Sequence, residues 1–518
     1  MRSPSIRQIS LLAFLASLGH AVAARADGDL NKVKHVIVVM QENHSFDNYF
    51  GVLPYVPRGP YHAGPCQEND HRCVDGLTCE RVGSGLDCRN WNRDADARGR
   101  ERKVFSFHSA NYCPGPDLNH EWPGSHQEAN FNNPTKTIRQ SPNDGFVRVN
   151  DATSTSQPDV GGESPTEDDT MGYYDQTDLP FYYGLAQTFA ISDRHFQSVL
   201  GPTFPNRSYQ LAATSFGHLT TFEIVPPLVP PPGGYKPITG TILDLLDRHG
   251  VAWANFFSDA PTTGIFRGTD PTHLIPVQFF SAFANPQVCG LPPVSFVDPA
   301  LGFNDPTIEN DEHPPTNIRK GQFFVSGIVD TVRNSACWKD SILFFTYDEH
   351  GGIYDHVAPP PAPQGGALNP DGIDPGLCAD ASAPGSEQPG AGQQCAVSRA
   401  DAKALCPDFT PAGPYPRSCP NFDQLGFRVP FVAISPFSKP RYVSHVVSDH
   451  TSMLAFLEKR FLRDATGARP HLTLRDLNAS TLEDLFDFDG APSLNASIPT
   501  APVPLPNDPG CPFVPVRP

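Results

Sequence analysis

Two stretches of this chain end an apolar run in adjacent side chains that could grip a hard or borderline divalent cation. His35-Val36-Ile37-Val38-Val39-Met40 runs into Gln41, Glu42 and Asn43, and Ser341 to Tyr347 runs into Asp348 and Glu349. Carboxylate and amide oxygens are the donors such ions prefer. Acids at the end of a buried strand also need a counter-charge or a shared proton. A single cation held by Glu42, Asn43, Asp348 and Glu349 answers both stretches at once. The plain alternative is two polar strand exits that bind loops or cap helices. A third stretch, Gly201-Pro202-Thr203-Phe204-Pro205-Asn206-Arg207, supplies a hydroxyl. Gly-Pro makes a turn, Thr203 can cap a helix and Pro205 suits its first turn. Thr203 is therefore expected at a helix N-terminus, where free N–H groups favour an anion. A hydroxyl there is either only a cap or, with a metal to lower its pKa, a phosphoryl-transfer nucleophile.

The elements that must position these groups read as alternating strands and helices. Short, continuous, β-branched apolar runs are the mark of parallel strands buried on both faces, and ligands bind beyond their carboxyl ends. Val251 to Phe257 and Arg428 to Pro436 read as further buried strands. Helices are expected after Pro180, over Thr239–His249, over about fifteen residues ending at Asn334, and after Asp449. The pair His120-Glu121 raises the thought of a zinc protease, but the next histidine, His126, is six residues on from His120. Such a helix needs a spacing of four, and Pro123 would break it. His313, followed by two prolines, reads as a loop residue. His350 and His356 receive no role, and His450 reads as a surface residue or as support behind the site.

Composition narrows the classes. The chain has 518 residues, 57 of them proline, and a formal charge of −18. That balance speaks against a nucleic-acid binder and means that an anionic substrate needs local cations. Residues 1–24 read as a secretory signal: Arg2 and Arg7, an apolar Ile9–Leu18, then Ala21-Val22-Ala23. No later run reaches the ~20 apolar residues of a membrane span, so the expected location is secreted or periplasmic. The 12 cysteines agree with export and read as local disulfides rather than zinc ligands. They crowd two irregular insertions, about 52–115 and 359–424, within one domain over 30–490, followed by a Pro-rich tail at 491–518. Sequons begin at Asn43, Asn206, Asn478 and Asn495; the first two fall in the stretches above and read as coincidence.

Taken in order, Gln41-Glu42-Asn43-His44-Ser45-Phe46-Asp47-Asn48-Tyr49-Phe50-Gly51, Gly201-Pro202-Thr203 with Pro205-Asn206-Arg207, Tyr347-Asp348-Glu349-His350-Gly351-Gly352 with Tyr354-Asp355-His356-Val357, and Arg428-Val429-Pro430 through Ser435-Pro436 resemble the bacterial phosphoesterase family. That family includes phospholipases C of the non-zinc type and an acid phosphatase, within the alkaline-phosphatase-like superfamily. The resemblance implies an α/β three-layer sandwich with a mostly parallel central sheet. It implies one divalent metal ion held by Glu42, Asn43, Asp348 and Glu349, and Thr203 as nucleophile. His120 and His313 match histidines that contact the phosphate or the leaving group, and Arg207 stands where it could hold phosphate oxygens. The threonine, and Asn255-Phe256-Phe257 where the acid phosphatase branch has a histidine pair, favour phospholipase C-like cleavage of a phosphate diester, with phospholipid head groups at a membrane surface as substrate. A broad acid phosphatase is the alternative, and a non-catalytic exported binding protein the more distant one.

Overall fold

The computed structural model describes residues 27–95, 101–109, 111–114, 117–130, 143–150, 169–221, 234–266, 268–303, 306–363, 369–378, 395–463 and 466–503. The expected signal at 1–24, and parts of both insertions and of the tail, lie outside the described residues.

Eight strands form the main sheet: β1 (His35–Gln41), β2 (Ala190–Ser192), β3 (Trp253–Phe257), β4 (Leu274–Pro276), β5 (Val294–Asp298), β6 (Ser341–Tyr347), β7 (Phe431–Ile434) and β8 (Val443–Ser444). Their order is β4-β3-β5-β1-β6-β7-β2-β8, and only β7 runs against its neighbours. The two runs that opened the sequence are thus adjacent central strands. β1 and β6 are parallel from Ser341 opposite His35 to Tyr347 opposite Gln41. That register makes Glu42 and Asp348 leave the sheet side by side.

Side chains alternate across a strand, so both faces of each apolar run must be covered. Ile37, Val39, Leu343 and Phe345 pack with α1 (Phe46–Phe50), α3 (Pro180–Ala186) and α6 (Ile318–Arg333) in one buried cluster. Val36, Val38, Met40, Ile342 and Phe344 pack with α4 (Thr203–Ala212), α5 (Ile242–Arg248) and α7 (His450–Phe461) in the other. Helix, sheet, helix is the α/β three-layer arrangement expected. A short α2 (Trp122–Glu128) lies beyond the sheet's carboxyl ends, with Pro123 in its first turn. Proline there starts the helix instead of breaking it, and His120 stays outside.

The cysteines behave as local staples. Cys66–Cys73, Cys79–Cys88, Cys378–Cys395 and Cys406–Cys419 close short loops, while Cys289–Cys337 joins residues 48 apart. The segment after α1 is more regular than its composition suggested. Cys79–Val82 pairs with Gly85–Cys88 and Trp91–Ala95 with Glu101–Phe105, both antiparallel.

Candidate active site

The site forms where β1 and β6 end. Asn43 turns out of the strand with φ +63°, a left-handed conformation that asparagine tolerates better than most residues. Its backbone N–H donates to Asp348 Oδ1 at 3.2 Å, and the Glu349 N–H donates to the same oxygen at 2.7 Å. Gly351 follows at φ +66°, and a Cβ there would lie 2.4 Å from the Asn43 carbonyl oxygen. Only glycine lets the two strand exits approach so closely.

Glu42, Asn43, Asp348 and Glu349 are all buried. Both polar atoms of the Asn43 side chain and Oε1 of Glu349 lack a hydrogen-bond partner. Burial, reinforced by the neighbouring charge of Glu42, pushes Asp348 up to about 7 against the pull of Arg207. Arg207, on α4, donates to Glu42 Oε1 at 2.9 Å and to Asp348 Oδ2 at 3.2 Å. Three carboxylates and an amide thus converge at the strand ends, and Arg207 reaches only two of the acids. Orphaned oxygen donors in such a cluster fit a divalent cation. Arg207 itself is thereby occupied in bracing the two acids, whereas it was expected to hold phosphate oxygens.

Thr203 is the first residue of α4, not its cap. Pro202 occupies the cap position and makes no side-chain cap bond. The Phe204 N–H is taken by Thr221 Oγ1 at 3.1 Å. Thr203 stays half-buried, one helical turn before Arg207. Residues four apart share a helix face, so the face of α4 that reaches Glu42 and Asp348 also carries the Thr203 hydroxyl.

The two histidines expected from loops come together. The rings of His120 and His313 meet edge to face at 6.0 Å. His120 Nδ1 donates to the Leu118 carbonyl at 2.7 Å, which leaves Nε2 3.9 Å from Glu349 Oε1. His313 Nδ1 donates to the Pro314 carbonyl at 2.8 Å. Burial opposes the charge on His120, but Glu349, Asp117 and Glu121 outweigh it and hold the group up to about 9. In the same way Asp117, Glu42, Asp311 and Glu309 hold His313 up to about 10. Ligating atoms of Asp117, His120 and His313 lie within 4.8 Å of one another. Two imidazoles that favour their protonated forms suit an anion or a departing alkoxide better than a metal there.

Several groups support the site; of these the sequence offered only His450, as one of two readings. His350 is fully buried, with Nε2 2.7 Å from Glu128 Oε2 and Nδ1 3.2 Å from Glu349 Oε2. His450 is buried, not on the surface, and Nε2 donates to the Asp348 carbonyl at 2.6 Å. Burial lowers its pKa to about 4, so it is a neutral brace under β6. Arg428 reaches Asp47 and Asp355, each at 2.9 Å, and locks α1 to the loop after Asp348 and Glu349. Glu128 lay in a stretch with no pattern, and only the fold reveals its partner 222 residues away.

A profile described as the Phosphoesterase family matches residues 33–462. "Phospholipase C B" of Mycobacterium tuberculosis is 29% identical over 512 residues, covering 91% of this chain and 81% of that protein. "Non-specific phospholipase C1" of Arabidopsis thaliana is 28% identical over 475 residues, 89% of this chain and 72% of that one. "Hemolytic phospholipase C" of Pseudomonas aeruginosa is 26% identical over 532 residues, with 92% and 59% covered. The solved human ectonucleotide pyrophosphatase / phosphodiesterase 5 overlaps with a TM-score of 0.30 at 12% identity, over 60% of this chain and 94% of that one. That last overlap is too slight to bear on the fold.

Proposed function

Since this chain belongs to the phosphoesterase family and is a hydrolase acting on phosphate esters, we propose that it is an exported, metal-dependent phospholipase C-like phosphodiesterase with Thr203 as its nucleophile. The observation that carries the reading is the cradle of Glu42, Asn43, Asp348 and Glu349, with its unpartnered buried oxygens, on the side of the sheet where α4 brings Thr203. A divalent ion bound by those four residues supplies Lewis-acid charge that favours the ionised hydroxyl.

Thr203 Oγ gives its proton to water and attacks phosphorus. A new P–O bond forms at Thr203 and the P–O bond to the alcohol breaks opposite it. The departing alkoxide takes a proton from His120 or His313, both held charged by the surrounding acids. Water then attacks the phosphothreonine: a P–O bond to the water oxygen forms, the P–O bond to Thr203 breaks, Thr203 Oγ takes the proton the water loses, and the imidazole regains its own proton from solvent. The products are an alcohol and a phosphate monoester. Threonine as the candidate nucleophile, together with relatives that carry the name phospholipase C, favours a phospholipid diester over a simple monoester.

Purified protein should cleave p-nitrophenyl phosphocholine at least ~10-fold faster, by kcat/KM, than p-nitrophenyl phosphate, a gap of about 1.4 kcal/mol in transition-state binding. Metal analysis of the same sample should find about one divalent ion per chain. A monoester preferred by the same margin would turn the reading to an acid phosphatase.

A further inference from the structure

Glu312, the residue before His313, is buried beneath the site and touches no position given a chemical role so far. Three phenols converge on its carboxylate. Tyr49 donates to Oε2 at 2.5 Å, Tyr347 donates to Oε2 at 2.7 Å, and Tyr182 donates to Oε1. These tyrosines come from α1, from the last residue of β6 and from α3. The Glu312 backbone carbonyl is also bound, 3.0 Å from His44 Nε2. Burial pushes the Glu312 carboxyl up to about 7, against the three phenol hydrogen bonds that favour its charged form.

Two features show that this arrangement is maintained at a cost. Glu312 has φ +74°, a conformation that a glutamate adopts only when its surroundings enforce it. Across from it, on α6, stands Gly321, where a Cβ would lie 2.1 Å from Glu312 Cγ. Glycine in a helix interior is otherwise unfavourable relative to alanine, and here it makes room for the carboxylate. The strained residue is followed at once by His313, whose N–H donates to Asp311 Oδ1 at 3.0 Å. The clamp therefore ties the backbone that carries His313 to α1, α3 and β6.

We propose that Glu312 is a positioning residue whose tyrosine-clamped carboxylate fixes the His313 imidazole for protonation of the departing alcohol. The inference rests on the reading of His313 as proton donor. A carboxylate accepts from all three phenols, whereas an amide in its place presents an N–H₂ edge to at least one of them. Glu312→Gln therefore loosens the clamp without changing its volume.

The test uses leaving groups. A short-chain diacyl phosphatidylcholine expels a poor alkoxide that needs a proton, and p-nitrophenyl phosphocholine expels a phenolate that does not. Glu312→Gln should lower kcat on the phosphatidylcholine by about 10- to 100-fold, short of the full loss of a general acid, which contributes about 100-fold or more. Its kcat on the nitrophenyl ester, and both KM values, should stay within about three-fold, since an undisturbed binding step leaves KM alone. A merely structural defect would lower both substrates together. Gly321→Ala, which pushes on the carboxylate while improving the helix, should show the same selectivity and stands in if Glu312→Gln fails to fold. His313→Asn is the control. If His313→Asn is selective and the Glu312 and Gly321 variants are not, the positioning role is wrong. If His313→Asn is not selective either, the assignment of His313 as proton donor falls, and the role of Glu312 with it.

Discussion

At Asp348 one oxygen is held by two backbone N–H groups and the other by Arg207. Even so, burial and Glu42 push the carboxyl up to about 7, so the proposed divalent ion would favour its charged form where Arg207 alone does not. Asp348→Asn removes one of the three carboxylates while keeping shape. It should cost at least ~100-fold in activity, in line with the several kcal/mol that a Lewis acid contributes, and lower the metal retained after dialysis. Full metal content with unchanged turnover would remove Asp348 from the cradle. The acids at 42 and 348 were legible because each closes an apolar run too continuous to be anything but a buried strand. Glu312 was not legible, because its meaning lies in tyrosines 263, 130 and 35 residues away. Arg207 was legible as a cation but not in its task, since the sequence places it near a phosphate site and only the packing of α4 shows that it braces the acids.

Between elements, ion pairs add to the apolar contact. His356 illustrates this: it binds Asp47 on α1 at 2.7 Å and Asp75 in the Cys-rich segment at 3.3 Å. Burial disfavours its charge, but Asp47 and Asp75 prevail and hold it up to about 9. A histidine with a raised folded pKa stabilises fully below its unfolded value of ~6.5, and that stabilisation is lost as pH climbs through about 9. The melting midpoint of the wild type should therefore fall between pH 6.5 and 9 by a component that His356→Gln lacks. Parallel curves for the two proteins across that window would contradict it. The motif Tyr354-Asp355-His356 was plain in the sequence, yet nothing local says that it joins α1 to the segment around Asp75. Helix starts were read within about three residues, the widest miss being Thr239 against Ile242. At α4 the prolines on both sides of Thr203 shifted the cap to Pro202 and left the threonine hydroxyl free of a capping bond.

Across the whole molecule, eight strands and two helical layers bring residues from the start, middle and later part of the chain to one end of one sheet. The order of strands, with β1 beside β6, is the feature that composition and periodicity do not contain; the matching acid ends suggested it, and the parallel register realises it. Asn43 and Asn206 are buried, whereas Asn478 and Asn495 are exposed, which fits the reading of the first two sequons as coincidence. Among the described residues no helix is long and apolar enough to cross a membrane. Everything in the functional account converges on the α4 hydroxyl beside the cradle. Its most direct test is rapid acid quenching during turnover of p-nitrophenyl phosphocholine, followed by mass spectrometry of the digested protein. A phosphocholine adduct on Thr203 should form and decay with turnover, and Thr203→Ala should give neither adduct nor product. An adduct on another residue, or substantial turnover by Thr203→Ala, would contradict it.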